Sequence, residues 1–104
     1  MSKRQAIIAE AKAIPETAWT RGTAEDSVEF TLDDFYGYTI VVSRFDQDAF
    51  WGAFVIWGSY ANPQDKDLGQ YNTAAAAQEL SLVSVAHEVA NEIEWEDKAL
   101  EGAS

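Results

Sequence analysis

The segment Ser27–Phe45 reads SVEFTLDDFYGYTIVVSRF, and its pattern predicts two antiparallel β-strands joined by a tight turn. Apolar side chains at positions 28, 30 and 32 alternate with polar ones, which is the period of a strand with one buried face. Residues 33–37 have the composition of a turn, and the run Tyr38–Phe45 is rich in β-branched side chains, which favour strands. The segment therefore predicts two neighbouring strands of an antiparallel sheet.

On either side of this hairpin the pattern indicates a small sheet. The connection Asp46-Gln47-Asp48 leads to a third expected strand at residues 49–57, and its shortness suits an antiparallel meander. Residues 16–26 are polar and irregular apart from Trp19, and a short strand there would be the fourth. Residues 62–69 are polar and include Pro63 and Gly69, so they predict a loop.

Two helices flank the expected strands. Ser2 and Gln5 have the spacing of a capping box and predict a short helix over residues 3–13, which Pro15 ends. Asn72 or Thr73 can cap a long C-terminal helix, whose apolar stripe should lie on the sheet. The stripe consists of Leu82, Val85, Ala86, Val89 and Ile93. The expected fold is α+β with the order α-β-β-β-α, in one domain over residues 1–104. Its antiparallel sheet has three strands, or four with the short one, and the long helix packs on one face.

Composition excludes several classes of protein. The chain has 104 residues with 18 acidic and 7 basic side chains, a formal charge of −11, one His and no Cys. A disulfide scaffold, a thiolate metal site and a Cys nucleophile are therefore excluded, as is any site built from several His ligands. The chain lacks a signal-peptide apolar core and a membrane-spanning stretch, so we expect a cytoplasmic protein without a membrane partner.

Two short motifs approach metal sites without completing them. The run His87-Glu88-Val89-Ala90-Asn91 has Asn where the HExxH zinc motif has its second His. The run from Asp65 through Asp67 to Gly69 lacks the Gly and the Glu that an EF-hand loop needs at its sixth and twelfth positions. No nucleophile, base and orienting group occur together. We therefore predict no metal, no cofactor and no catalytic residues.

The element order resembles that of double-stranded-RNA-binding domains. Such domains hold phosphates with basic residues at the start of the last helix, where this chain has Thr73-Ala-Ala-Ala-Ala. Because phosphate binding needs cations, we predict that the chain does not bind nucleic acid directly.

Acidic residues crowd the end of the long helix, where the helix dipole favours cations instead. The residues are Glu88, Glu92, Glu94, Glu96 and Asp97, and Asp33, Asp34, Asp46 and Asp48 in the turns add to the field. Three of the helix acids are spaced four apart, where like charges repel by about 0.2–0.5 kcal/mol per pair. Stability alone does not explain this arrangement. We interpret these acids as an anionic surface that binds a basic partner. The alternative is a solvated face that keeps the domain soluble.

The third expected strand is apolar on both faces. Phe50, Phe54 and Ile56 point one way, and Trp51 and Trp57 point the other. The long helix covers only one of these faces. We expect that the N-terminal helix covers the second face, or that the two Trp side chains meet a partner; a symmetric dimer is the simplest way to close such a face.

Small size, strong acidity and the acids named above resemble the small acidic inhibitors of phages and mobile elements that imitate DNA, such as anti-CRISPR and anti-restriction proteins. The resemblance implies a non-catalytic protein that blocks the nucleic-acid-binding surface of a defence complex, with a basic, nucleic-acid-binding protein as its partner. The first alternative is an acidic immunity protein or antitoxin that masks a basic nuclease. The second is a small-ligand binder or hydrolase with a pocket near Trp51, Trp57 and Tyr60.

Overall fold

The computed structural model describes residues 2–24, 27–45, 49–59 and 61–103. Two α-helices flank five strands in this part of the chain. They are α1 (Lys3–Ala13), β1 (Thr20–Ala24), β2 (Ser27–Phe35), β3 (Tyr38–Phe45), β4 (Trp51–Ser59), β5 (Asn62–Tyr71) and α2 (Ala74–Ala103), with a short 3-10 turn at Glu16–Ala18. The prediction of an α+β fold with a long C-terminal helix is confirmed.

The strands form one antiparallel sheet in chain order, β1-β2-β3-β4-β5. The expectation of three or four strands is wrong, because β5 occupies the segment that was expected to be a loop. The expected short strand before residue 27 is present as β1. The predicted hairpin of β2 and β3 is present, and β1 and β4 pair with its two sides.

The strand β5 was missed because its own residues carry no strand signal. Eight of its ten residues are exposed, and it contains Pro63 and Gly69, which ordinarily interrupt strands. It is an edge strand, and its order comes from pairing with β4 along the whole of its length. Charges and Pro are common on edge strands, since they hinder pairing with a further chain.

Both helices lie on the same face of the sheet. Ile40, Val42 and Val55 on β3 and β4 are fully buried, and Val85 of α2 belongs to the same hydrophobic cluster. Ile7 of α1 joins that cluster too, and α1 packs mainly against α2. The expected stripe of α2 therefore lies on the sheet, with Ile93 only partly buried.

The helix starts follow their sequence signals. Ser2 accepts a hydrogen bond from the Gln5 backbone N–H at 3.1 Å, and the Gln5 side chain accepts one from the Ser2 backbone at 3.2 Å. This completes the predicted capping box of α1. Thr73, and not Asn72, caps α2, because its Oγ1 accepts from the Ala76 N–H at 3.1 Å.

Strand alternation and register define the other side of the sheet, which we call the open face. It carries Thr20, Glu29, Thr31, Thr39, Val41, Ser43, Phe54, Ile56, Asp65, Asp67 and Gln70. Thr31, Val41, Phe54 and Asp67 stand in one row across four strands. No helix of the described residues packs on this face, since both belong to the cluster on the opposite side.

Candidate interaction surface

Three of the α2 acids that were predicted to form one anionic surface, Glu88, Glu92 and Glu94, have separate partners. The Lys66 ammonium on β5 lies 2.7 Å from a carboxylate oxygen of Glu88 and forms an ion pair with it. The Tyr38 hydroxyl on β3 donates to Glu92 at 2.6 Å. Burial, followed by this hydrogen bond, raises the pKa of the Tyr38 phenol above its ordinary range, so the hydroxyl stays a donor. Both contacts attach α2 to the sheet.

Glu94 lies at the junction of the two helices. It accepts from Arg4 Nε at 3.2 Å and from Arg4 Nη2 at 3.0 Å, and these bonds hold the pKa of its carboxyl below the ordinary value. Arg4 also donates to Asn91 Oδ1 and, at 3.2 Å, to His87 Nδ1. Because a guanidinium only donates, Nδ1 of His87 accepts here. His87 and Asn91 of the incomplete zinc motif thus bind the arginine that joins the two helices, whereas Glu88 of that motif pairs with Lys66.

The remaining acids of the prediction do not lie together with these. Glu96 is exposed on α2, and the side chain of Asp97 lies outside the described part of the structure. Asp33 and Asp34 are exposed near the β2–β3 turn, where Asp34 has a positive φ of 60° within a bulge. Asp46 and Asp48 lie outside the described residues. The structure therefore does not gather the nine acids into one surface among the residues that it describes.

Trp51 and Trp57 lie on the helix side of the sheet. Both are partly buried and pack against the core cluster. The Trp51 ring lies 5.8 Å from that of Phe30, and the Trp57 ring lies 5.7 Å from that of Tyr38. The two Trp side chains therefore extend the core at its margins, and the geometric reason for closing their face with a second copy does not apply. Tyr60, the third residue of the expected pocket, lies outside the described residues.

The positive charges of the chain are all on the helix side. Lys3, Arg4, Lys12 and Lys98 belong to α1 and α2, and Arg21, Arg44 and Lys66 occupy strand positions whose side chains point to that side. The side-chain directions of Arg21, Arg44 and Lys66 follow from the strand register. Arg21 stands opposite Phe30, and Lys66 opposite Val55. Arg44 follows Val42 by two residues on the same strand.

The charged side chains that the structure assigns to the open face are all acidic. Glu29, Asp65 and Asp67 are exposed there, and all seven Lys and Arg residues of the chain lie elsewhere. The two Asp side chains of β5 are about 7 Å apart along the strand, from the usual rise per residue. Because both charges are negative, their potentials add, and the pair attracts cations from solution.

An apolar strip lies between these acids. Val41 is buried although no helix covers it, with an exposed fraction of 5%, and Phe54 and Ile56 beside it are half-buried. A depression of about 330 Å³ opens next to Phe54, and Asp65 and Asp67 are among the residues that line it. Lys66 also borders the depression, but its ammonium is bound to Glu88 on the helix side.

Asp67 also has a local structural role. Its Oδ1 accepts from the Gly69 backbone N–H at 2.8 Å, next to the bulge where Gly69 has a φ of 103°. The run that resembles part of a calcium loop is thus a strand with an Asx-type bond. Within the described part of the chain, His, Asp and Glu side chains form no group of three or more that could hold a metal ion.

The sequence missed the open face and one exposed aromatic residue. The sequence did assign Phe54 and Ile56 to one side of the third strand. It did not show which side the helices cover. Trp95 on α2 is 72% exposed, the most of the large hydrophobic side chains whose exposure is described. Its helix position next to Glu94 and Glu96 does not distinguish a core residue from a surface one.

Comparison with protein-family models, with curated proteins and with solved structures found no match for this chain. In the described residues, neither helix combines the length and the apolar character needed to span a bilayer.

Proposed function

We propose that this chain is a non-catalytic interaction protein that binds a basic protein through the open face of its sheet. The observation that carries the proposal is the separation of charge. Every Lys and Arg lies on the helix side, whereas the open face presents three acids around a strip of apolar side chains. An apolar centre with a polar rim is the usual composition of a protein–protein interface.

The occupant is a protein with Lys and Arg around an apolar contact. The long stems of these side chains can cover Phe54 and Ile56, while their charged ends reach Asp65 and Asp67. A second copy of the chain fits poorly, because its own acids would face these acids across the interface. The chain's net charge of −11 also favours rapid, salt-sensitive association with a partner of opposite charge.

A nucleic-acid-binding protein is the kind of partner that this chemistry favours, since such proteins present basic surfaces that attract phosphates. The chain would then occupy that surface and exclude the nucleic acid, as an inhibitor from a phage or mobile element does. This finer part of the proposal is supported by the small size and the net charge. The helix acids contribute less than the sequence indicates, because Glu88 and Glu94 are paired with cations and Glu92 is hydrogen-bonded.

The test compares two double variants that remove the same charge from different faces. Asp65→Asn with Asp67→Asn removes two of the three negative charges of the open face, and the second of these changes keeps a side-chain oxygen that can accept from the Gly69 N–H. Glu10→Gln with Glu96→Gln, at exposed sites on α1 and α2, is the matched control, and the first of these changes keeps a side-chain oxygen that can accept from the Tyr36 hydroxyl. An arginine-rich peptide is titrated into each protein, and backbone amide shifts are mapped by NMR.

We expect the peptide to perturb β3, β4 and β5, and the open-face variant to bind it about tenfold more weakly, from about 0.5–1 kcal/mol for each exposed charge. The control should bind within about twofold of wild type. Phe54→Ala should weaken binding, and Trp95→Ala should not. Equal losses in both double variants, or a loss with Trp95→Ala instead of Phe54→Ala, would contradict the open face as the binding surface.

The same variants test the natural partner in affinity capture from a host lysate. A captured protein supports the proposal when wild type and the control double variant retain it, the open-face double variant does not, and salt releases it. Once purified, it should also compete with its own nucleic acid for this chain. A captured nuclease that loses activity would identify the immunity-protein form of the proposal. Retention that is insensitive to salt and to the open-face charges would refute it.

A further inference from the structure

A second site lies on the other side of the molecule, between α1, the 3-10 turn and α2. A cleft of about 360 Å³ opens there. Its apolar walls are formed by Ala11 of α1, by Ile14 and Trp19 on either side of the 3-10 turn, and by Leu82 and Val83 of α2. Small-molecule sites have volumes of roughly 300–1,000 Å³ and mostly apolar walls. A single water occupies roughly 30 Å³ of the liquid, so the cleft is too large to be a site for one bound water.

One buried polar atom in this cleft has no hydrogen-bond partner among the described residues. Gln78 lines the cleft and is only 6% exposed, and its buried Nε2 has no hydrogen-bond partner among the described residues. Buried amide groups in folded proteins are almost always hydrogen-bonded, because leaving one unpaired loses the hydration that it had in the unfolded chain. The Ser81 hydroxyl one turn away bonds to the backbone carbonyls of Ala77 and Gln78 instead. Because the Gln78 side chain lines the cleft, a rotation about its side-chain bonds would present this unpaired donor to a molecule that enters it.

The charges at the cleft favour a cation over an anion. Glu16 and Glu79 line it together with Lys12, which leaves an excess of one negative charge in a chain whose net charge is −11. Trp19 also lines the cleft, is 8% exposed and adds to its apolar wall.

We propose that this cleft binds a small amphipathic amine that carries a hydrogen-bond acceptor. Its apolar body packs between Trp19 and Leu82, and its acceptor oxygen accepts a hydrogen bond from Gln78 Nε2. Its ammonium lies towards Glu16 and Glu79. The site is independent of the open face, which lies across the sheet.

The test uses three probes that share one body. The first is 4-methoxyphenethylamine, which has the amine, the ring and an ether oxygen. The second, 4-ethylphenethylamine, lacks only the acceptor, and the third, 3-(4-methoxyphenyl)propanoate, carries the opposite charge. Dissociation constants are measured by NMR titration with the full chain, and the shifts of the Gln78 side-chain amide report contact with it.

We expect the methoxy amine to bind about fivefold more tightly than the ethyl amine, which is the worth of one neutral hydrogen bond. The propanoate should bind more weakly than either. In Gln78→Met the difference between the two amines should vanish, and the variant should be at least as stable as wild type, because it removes an unpaired donor. Glu79→Gln should weaken both amines, and Glu96→Gln is the charge control.

Ala75→Phe provides a second variant at an exposed position on the cleft wall, where a change of fold is not a concern. It should prevent binding of both amines and leave thermal stability nearly unchanged. Equal affinity for the two amines in wild type, equal affinity for the propanoate, or no saturable binding of the methoxy amine at millimolar concentration would overturn the proposal. Each of these outcomes leaves the open-face proposal unaffected.

Discussion

Replacing Tyr38 by Phe removes a hydrogen bond that fastens the long helix to the sheet. The side chain is 5% exposed, and its hydroxyl donates to Glu92 at 2.6 Å. A hydrogen bond to a charged group is worth about 1.5–3 kcal/mol. Glu92 is exposed and regains water when the hydroxyl is gone, so we expect the lower end, about 1.5 kcal/mol. For a domain of this size the melting temperature should fall by about 5–10 °C.

Tyr36→Phe is the matched control. It makes the same chemical change at a residue that is 47% exposed and whose hydroxyl donates to Glu10 at 2.5 Å. An exposed hydrogen bond of this kind should change the free energy of unfolding by less than about 0.5 kcal/mol. Urea unfolding followed by circular dichroism measures both variants. Equal effects of the two substitutions would refute the assignment of the Tyr38 bond as a structural tie.

The same residue predicts how stability depends on alkaline pH. Burial and the bond to Glu92 raise the pKa of Tyr38 in the folded state above the value of 10.0 expected for an unfolded chain. The folded state therefore holds this proton more tightly. The resulting stability is complete below pH 10 and is lost as the pH rises from there towards the folded-state pKa. Tyr38→Phe should flatten the fall in stability above pH 10, and an unchanged slope would contradict the mechanism.

Two further predictions test the faces of the sheet and the junction of the helices. Ile40→Ala, at a fully buried site, should cost about 2–5 kcal/mol, whereas Ile56→Ala on the open face should cost about 1 kcal/mol. Urea unfolding measures the pair, and a reversed order would mean that the helices lie on the other face. Arg4→Ala should speed amide hydrogen exchange in α1 by removing the bonds to Glu94, and Lys12→Ala, at an exposed site on the same helix, should not. Arg4 lowers the pKa of Glu94, so docking of α1 should also weaken as the pH falls through that folded-state pKa. Exchange rates that do not depend on Arg4 at any pH would contradict this role.

Local signals were sufficient for most of the secondary structure. The capping box at Ser2 and Gln5 and the stop at Pro15 place α1 within the bounds observed. The run Tyr38–Phe45 is a strand with the predicted ends. These features depend on neighbours within a few residues, so the information is present in the chain itself.

The predicted surface was less accurate than the predicted fold. Glu88, Glu92 and Glu94 share a helix, and the sequence pattern was interpreted as placing all three on one anionic surface. Their partners are 22, 54 and 90 residues away along the chain, respectively. A charge count along a helix cannot include partners that only folding brings near. The displayed charge of an acidic segment therefore depends on tertiary contacts that are absent from its own pattern.

The sequence alone predicted the two helices, the hairpin of β2 and β3, the apolar stripe and a large excess of negative charge. Periodicity, caps and composition are local or additive quantities, so the chain itself contains this information. Pairing across the sheet made a strand of the polar segment Asn62–Tyr71, and the packing of both helices on one side made the other side the open face. The same packing gathered every cation opposite Asp65 and Asp67 and left Gln78 unpaired at a cleft. These features arise from contacts between residues far apart in the chain, which no local pattern contains.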